Sequence, residues 1–420
     1  MRAWASDPVS SLAARGLGTG PPPSVRDTAS GALLRLGPTD AAGVYVCGIT
    51  PYDATHLGHA STMLAFDLLQ RVWLDAGLEV TYTQNVTDID DPLLERAARD
   101  GVDWRDLAER EVQLFRGDME ALRLLAPQHY TGVVESMDLV VAAIERLVAA
   151  GVTYRVDDDL YFEAGRDPGF GRVSRLDRST MLGLLGERGG DPDRPGKRDR
   201  LDWLLWRAER PGEPCWDSPF GRGRPGWHVE CAAMAVEHLG MGFEVQGGGS
   251  DLAFPHHEMS AAEAETAFAA APFAQAYMHA GMVGLDGEKM SKSRGNLVLV
   301  SELLRRGVDP MALRLALLGH HYRSDWSWTE ADLSAAERRL AAWRAAVDAG
   351  RPVDAGAVVA VMRESLADDL DAPRALAAVD EWAVAGGRAG PEVGDRGSGR
   401  SGEDARTVAV ALDALLGIAI

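Results

Sequence analysis

The period of hydrophobic and polar positions changes repeatedly along the chain, and each change marks an element. Val44-Tyr45-Val46-Cys47 is an unbroken apolar run, as in a short strand buried on both faces. A turn at 48–53 follows, and from His56 apolar positions recur at helical spacing until Gly77. A second strand is predicted at 79–84, running into Asn85-Val86-Thr87-Asp88. Helical patterns then cover 91–125 and 133–150. Strand, helix, strand in this order predicts a parallel α/β sheet.

That pattern then breaks. Residues 152–164 read as a hairpin, and 186–200 are polar and rich in Gly, Pro, Arg and Asp. This stretch reads as an insertion between two halves of the sheet. The α/β pattern resumes near 226, with strands predicted at 243–246 and 276–283 and the run Gly247-Gly248-Gly249-Ser250-Asp251 after the first. From about 330 the chain is rich in Ala, Leu, Arg and Asp at helical spacing, with a flexible stretch expected at 386–402. The start, 1–40, reads as an irregular lead-in, and no internal repeat is present.

A chain of 420 residues, 46% hydrophobic, can hold two or three domains with substantial cores. No apolar run reaches the roughly 18–20 residues of a membrane span, and 1–23 lacks the basic and apolar regions of a signal peptide. A cytoplasmic location without a membrane partner is therefore expected. Three cysteines, Cys47, Cys215 and Cys231, are too few and scattered for a disulfide framework and point to metal or catalysis. Each alone also fits a buried small hydrophobe. The net charge of −20 weighs against non-specific nucleic-acid binding. Against 40 arginines there are only three lysines, Lys197, Lys289 and Lys292. So sparing a use marks places where a planar fork would not serve, such as a mobile, compact charge on a polyphosphate.

Two of those lysines lie in Lys289-Met290-Ser291-Lys292-Ser293. Upstream, His56-Leu57-Gly58-His59 sits at a predicted helix N-terminus, where backbone N–H groups and the helix dipole favour an anion. Two imidazoles one turn apart can donate to phosphate oxygens, and Gly58 leaves room for a nucleotide ring. Alone, each motif reads as surface histidines or a polar turn. Together and in this order they resemble the paired signatures of class I aminoacyl-tRNA synthetases. The resemblance implies an α/β Rossmann catalytic domain with a connecting insertion and a C-terminal helical domain. It divides the chain into a first catalytic half (41–142), the insertion (143–220), a second half (221–288), the lysine loop with its stem-contact region (289–345) and a helical domain (346–420). The implied reaction is carboxylate attack on the α-phosphate of ATP, which Mg2+ accompanies, giving an acyl-adenylate. His56, His59, Lys289 and Lys292 would stabilise charge on the phosphates, Lys292 binding ATP directly.

A third constellation is Cys47, Cys231 and His256. Its spacing fits no zinc finger. Its context does carry information: Cys47-Gly48-Ile49-Thr50-Pro51-Tyr52-Asp53, Pro225-Gly226-Trp227-His228-Val229-Glu230-Cys231 and Phe254-Pro255-His256-His257-Glu258 resemble the zinc-binding segments of cysteinyl-tRNA synthetase. That resemblance implies one Zn2+ per chain with an open position for the substrate thiolate. A thiolate outcompetes a hydroxyl for zinc, so serine is rejected without editing. The synthetase's glutamate, four residues beyond the matched histidine, is Ser260 here and is not counted as a ligand. His257 rivals His256, which the intact Phe-Pro-His-His-Glu run favours. Cys215 falls on a non-ligand position and is read as structural. Further matches are Asn85-Val86-Thr87-Asp88-Ile89-Asp90-Asp91, Lys197-Arg198-Asp199 and His321-Tyr322-Arg323-Ser324, so the resemblance runs from about 40 to about 380.

By the same resemblance, Cys47, Gly48, Ile49, Thr50, Thr62 and Asn85 line the substrate and adenylate pocket. So do Val86, Thr87, Trp227, Gly249, Ser250, Asp251 and Val283. Asp251 would take the cysteine ammonium or a proton from an incoming amine; the plainer alternative is that it orders the glycine loop.

Some details depart from the tRNA enzyme. The opening motif continues Gly48-Ile49-Thr50-Pro51, where the synthetases usually have Gly-Pro-Thr-Val, and the insertion carries Glu187-Arg188-Gly189-Gly190-Asp191-Pro192. The C-terminal region is short, and residues 330–420 hold 16 acidic residues against 10 Arg, poor material for gripping tRNA. These features resemble the ligase family of mycothiol biosynthesis, paralogous to cysteinyl-tRNA synthetase. The implied substrates are L-cysteine, ATP and 1D-myo-inositol 2-amino-2-deoxy-α-D-glucopyranoside (GlcN-Ins), with no tRNA partner. The Arg-rich, Lys-poor composition fits an actinobacterial source, and a monomer is the expected state. The alternatives are a cysteinyl-tRNA synthetase and a non-catalytic zinc- and nucleotide-binding paralogue.

Overall fold

The computed structural model describes residues 1–36, 40–53, 55–285, 287–290, 296–384 and 398–420. Five strands form the central sheet: β1 (Ala41–Ile49), β2 (Glu79–Val86), β3 (His129–Gly132), β4 (Phe243–Gly249) and β5 (Ala274–Ala280). Their order is β5-β4-β1-β2-β3, and every pair is parallel. The winding direction reverses between β1 and β4, so a crevice opens at their carboxyl ends.

Strand periodicity explains the two layers around this sheet. Val44 and Val46 pack into one apolar cluster with α1 (Leu57–Asp75), while Tyr45 and Cys47 enter the other with α2 (Trp227–Leu239). A strand covered on both faces has no polar face to show, hence the unbroken apolar run. Register shifts between Val46 and Ile49. A Cβ at Gly48 would lie 1.7 Å from the Asn85 carbonyl oxygen, so only glycine lets the bulged backbone pass.

Several predicted elements differ in extent. The helix expected over 91–125 is two, Asp91–Asp100 and Trp104–Ala121: Gly101 closes the first in the left-handed region and the Asp103 side chain caps the second. The strand expected over 276–283 also divides. Ala274–Ala280 joins the central sheet, whereas Val283–Leu285 pairs with Glu288–Lys289 and Trp326–Trp328. Gly281 forces the break: its N–H donates to Tyr322 O at 2.7 Å, and a Cβ would meet Ser324 O at 2.3 Å. Val283 therefore belongs to a separate small sheet. The stretch expected to be flexible, 386–402, lies largely outside the described residues, and from Ser398 the chain is helical as far as Leu416.

The stretch read as the insertion, 143–220, carries three strands, Thr153–Val156, Asp159–Phe162 and Trp203–Ala208, and a helix at Arg178–Glu187; a fourth strand that completes their antiparallel sheet, Gly223–Pro225, lies past the expected boundary. Lys197 staples one of its loops. Its Nζ donates to Asp191 O at 3.1 Å, Asp191 Oδ1 at 3.0 Å and Arg200 O at 3.2 Å. Three donors on one atom suit three converging acceptors.

The lead-in, expected to be irregular, carries regular elements among its described residues. It contains a 3-10 turn at Ala13–Arg15 and a hairpin of Ser24–Arg26 with Leu33–Arg35, and it buries Trp4, Leu12 and Val25 in the core. Its hairpin turn lies along β5: Thr28 N donates to Tyr277 O and Tyr277 N to Asp27 Oδ1, each at 2.9 Å. An otherwise open sheet edge is thereby covered.

C-terminal helices at Glu330–Asp348, Ala355–Ala367, Ala372–Val384 and Ser398–Leu416 pack against α1 and the helix Pro310–Leu318. Among the described residues no helix is long and apolar enough to cross a membrane. A buried ionic knot joins these layers. Asp67 of α1 accepts from Arg71 Nε at 2.8 Å, from Leu125 N at 2.8 Å and from Arg314. Arg314 also donates to Leu416 O at 2.6 Å and Leu122 O at 2.7 Å. Burial alone would raise the Asp67 carboxyl, but Arg314 and Arg71 hold it below the usual carboxylate range. Replacing Arg314→Met leaves the buried Asp67 with Arg71 alone and strips the donors from the Leu416 and Leu122 carbonyls, so stability in urea unfolding should fall by about 3–5 kcal/mol. A loss under about 1 kcal/mol in this variant would remove the knot from the account of stability.

Candidate active site and metal centre

The site assembles where β1 and β4 end. Cys47 lies on the last turns of β1, Cys231 on α2 before β4, and His256 in the turn Ala253–His257 that follows β4. Their ligand atoms all lie within 4.8 Å of one another, and all three residues are buried. His256 Nε2 is buried without a hydrogen-bond partner. Its other nitrogen lies 3.0 Å from His228 Nδ1, and its ring stacks on Trp227 with centroids 4.3 Å apart. A buried imidazole nitrogen is costly to leave without a partner or an ion to bind. Burial opposes ionisation of Cys231, yet the hydrogen bond from Cys47 and the neighbouring His256 bring its thiol well below the usual value. Burial and then Cys231 push the Cys47 thiol up. Two sulfurs, one already inclined to be a thiolate, and one imidazole make a donor set suited to zinc.

The neighbours are otherwise engaged. Ser260 Oγ donates to His228 O at 3.0 Å, so it turns away from the cluster. His257 presents Nε2 to Cys47 Sγ at 3.3 Å and is not among the three clustered donors. Gln246 Nε2 also approaches Cys47 Sγ, at 3.5 Å. Cys215 sits in the insertion, within 3.2 Å of Glu209 and 2.9 Å of Arg222.

Across the crevice, His56 caps α1, its Nδ1 accepting the Gly58 N–H at 3.1 Å. A neutral imidazole that accepts at Nδ1 carries its proton on Nε2. The His56 and His59 rings stack 3.9 Å apart. At Gly58 a Cβ would stand 2.8 Å from His56 Cε1, so the room expected for a nucleotide is claimed first by the histidine's own ring. The chain after the lysine motif is laced to this point: Leu57 N donates to Val298 O and Val300 N to Thr55 O, both at 3.0 Å. Lys289 lies in a short strand, opposite Gly284. Lys292 falls outside the described residues.

The other expected pocket residues fall into two groups. Asn85 orders the bulge, accepting from Gly48 N at 2.9 Å and donating to Thr87 Oγ1 at 3.1 Å, while Ile49 and Val86 are buried beside it. Thr62 lies on α1, its hydroxyl donating to Gly58 O at 3.1 Å. A Cβ on Gly249 would meet Asp251 Oδ1 at 2.7 Å and Thr62 Oγ1 at 4.0 Å, so Asp251 folds back towards the end of β4 and the start of α1. Ser250 opens that turn, Thr50 O accepts from Tyr52 N at 2.9 Å, and Val283 sits in the small sheet. Arg188 was not singled out in the sequence. Its guanidinium donates to the carbonyls of Asp251 and Phe254, tying the insertion to the turn that carries His256. The unusual run at 187–192 was its only signal.

The chain matches, over residues 36–338, the family described as tRNA synthetases class I (C) catalytic domain. Mycobacterium tuberculosis methionyl-tRNA synthetase in complex with methionyl-adenylate superimposes with a TM-score of 0.63, covering 90% of this chain and 92% of that one at 18% identity. At that identity the likeness is one of fold. The L-cysteine:1D-myo-inositol 2-amino-2-deoxy-alpha-D-glucopyranoside ligase of Thermobifida fusca is 58% identical over 420 residues, spanning 100% of this chain and 99% of the relative. The ligase of the same name from Kribbella flavida is 60% identical over 394 residues, 93% of this chain and 94% of that one. With its switch-point crevice, its matched catalytic domain and such relatives along its whole length, the chain belongs to the class I cysteinyl-type synthetase family, in the branch of the L-cysteine:GlcN-Ins ligases.

Proposed function

We propose that the chain activates L-cysteine with ATP and joins it to the amine of GlcN-Ins, forming an amide, AMP and pyrophosphate. The observation that carries the choice of cysteine is the convergence of the buried Cys47, Cys231 and His256 ligand atoms at the crevice, all within 4.8 Å of one another. The ligases of Thermobifida fusca and Kribbella flavida support the choice of acceptor. Zinc held by these three side chains supplies, when bound, an open position that takes the cysteine thiolate and discriminates against a hydroxyl.

This chain's own residues do the rest. Trp227 fixes the His256 ring by stacking. Asp251 takes the cysteine ammonium. The cysteine carboxylate forms a bond to the α-phosphorus of ATP as the bond to pyrophosphate breaks. Negative charge accumulating on the phosphates is offset by the His56 Nε2–H, His59, the α1 N-terminus, Lys289 and Lys292. Mg2+ accompanies the ATP. In this reading Gly48, Ile49, Thr50, Thr62, Asn85, Val86, Thr87, Trp227, Gly249, Ser250 and Val283 line the adenylate pocket together. The neutral sugar amine then attacks the acyl carbon, a C–N bond forms, the nitrogen gives up its extra proton to solvent, and AMP leaves with the electrons of the broken C–O bond of the anhydride. In this reading 41–142 and 221–288 are the catalytic halves, 143–220 the insertion, 289–345 the lysine loop and stem-contact region, and 346–420 a helical buttress that needs no tRNA.

Three measurements test this. Metal analysis should find about one zinc per chain and none in Cys231→Ala; full occupancy in that variant defeats the ligand set. Lys292→Ala should abolish cysteine-dependent ATP–pyrophosphate exchange and keep its zinc, whereas normal exchange removes Lys292 from phosphate binding. The purified protein should couple cysteine to GlcN-Ins and fail to charge tRNA; the reverse result makes it a cysteinyl-tRNA synthetase.

A further inference from the structure

Cys47 is reached by a line of hydrogen bonds that begins in the lead-in hairpin. Thr28 Oγ1 lies 2.6 Å from His279 Nδ1, His279 Nε2 lies 2.7 Å from His257 Nδ1, and His257 Nε2 lies 3.3 Å from Cys47 Sγ. Both histidines are buried, and their rings stack with centroids 4.8 Å apart. Thr28 lies in the turn of the lead-in hairpin, before the segment that matches the family's catalytic domain. Its place is fixed by the bond from its own N–H to Tyr277 O.

A neutral imidazole has one N–H and one lone pair, so such a line has only two consistent directions. In one, a Cys47 thiol donates inward and every bond points to Thr28. In the other, the Thr28 hydroxyl donates to His279, His279 to His257, and His257 Nε2–H to the Cys47 sulfur. A sulfur bound to a metal ion has no proton to give, which leaves the second direction. Gln246 Nε2–H already aims at the same sulfur, so Cys47 then accepts two N–H bonds.

We infer that Thr28 and His279 are positioning residues that orient His257 as a hydrogen-bond donor to the metal-binding sulfur of Cys47. This rests on the zinc reading above. N–H donors to a ligating sulfur offset part of its negative charge and fix its direction. That matters in a site where two protein thiolates and a substrate thiolate must share one ion.

The test uses the full-length chain and Thr28→Val, which keeps the backbone bond and the shape but removes the hydroxyl. Zinc affinity is measured by competition with a chromophoric chelator, and the sulfur-to-metal charge-transfer band is recorded on the Co2+-loaded protein. Thr28→Val should bind zinc about tenfold more weakly, shift the Co2+ band, and raise the KM for cysteine in pyrophosphate exchange with the KM for ATP unchanged. Thr28→Ser should restore all three. Wild-type affinity and an unmoved band in Thr28→Val, or equal losses in Thr28→Ser, overturn the relay and leave the zinc reading intact. A wild-type chain that binds no zinc removes both.

Discussion

Where β1 and β4 run side by side in parallel, Val44 faces Val245, Tyr45 faces Gln246 and Val46 faces Gly247. That register decides what can meet at the crevice. It brings the end of β1, carrying Cys47, level with the glycine run of β4, and the helix before β4 and the turn after it deliver Cys231 and His256 to the same point. Slipping the pair by one residue would exchange the sheet faces of every β1 side chain and carry Cys47 towards α1. The glycines keep this junction close. Gly247 leaves space for the Phe66 ring, and Gly48 for the Asn85 backbone.

The sequence was most legible where one physical rule acts locally. The run 44–47 reads as a doubly covered strand because period two has nothing to alternate between. His56 reads as a helix start because a capping side chain and an apolar stripe are neighbours in sequence. Features fixed by distant backbone were not legible. Residues 276–283 look like one strand, since nothing in their composition announces that Gly281 will be pressed against Ser324. The lead-in looks irregular because its order comes from burying Trp4 and Val25 and from lying along β5, not from any period of its own. The donor cluster was visible only through resemblance: Cys47, Cys231 and His256 have no spacing rule, for the sheet joins them and not the chain. Lysine scarcity pointed to phosphate chemistry at 289–293, while Lys197 earned its place as a loop staple.

Polar order around the crevice follows from the cost of burying groups without partners. Asn85 answers Gly48, Ser260 answers the His228 carbonyl, and Arg188 answers two carbonyls in the turn before His256. Close to these bonds, the ligand atoms of Cys47, Cys231 and His256 converge within 4.8 Å of one another.

The ionic knot on α1 has a mechanical consequence. The helix has 19 residues, a rod of about 28 Å at 1.5 Å per residue. One end presents His56 and His59 to the crevice, and from Asp67 onward the other is clamped by Arg314 to the last turn of the chain at Leu416. The C-terminal helices therefore act as an abutment. They brace the helix whose other end carries His56 and His59, which is reason enough to keep them.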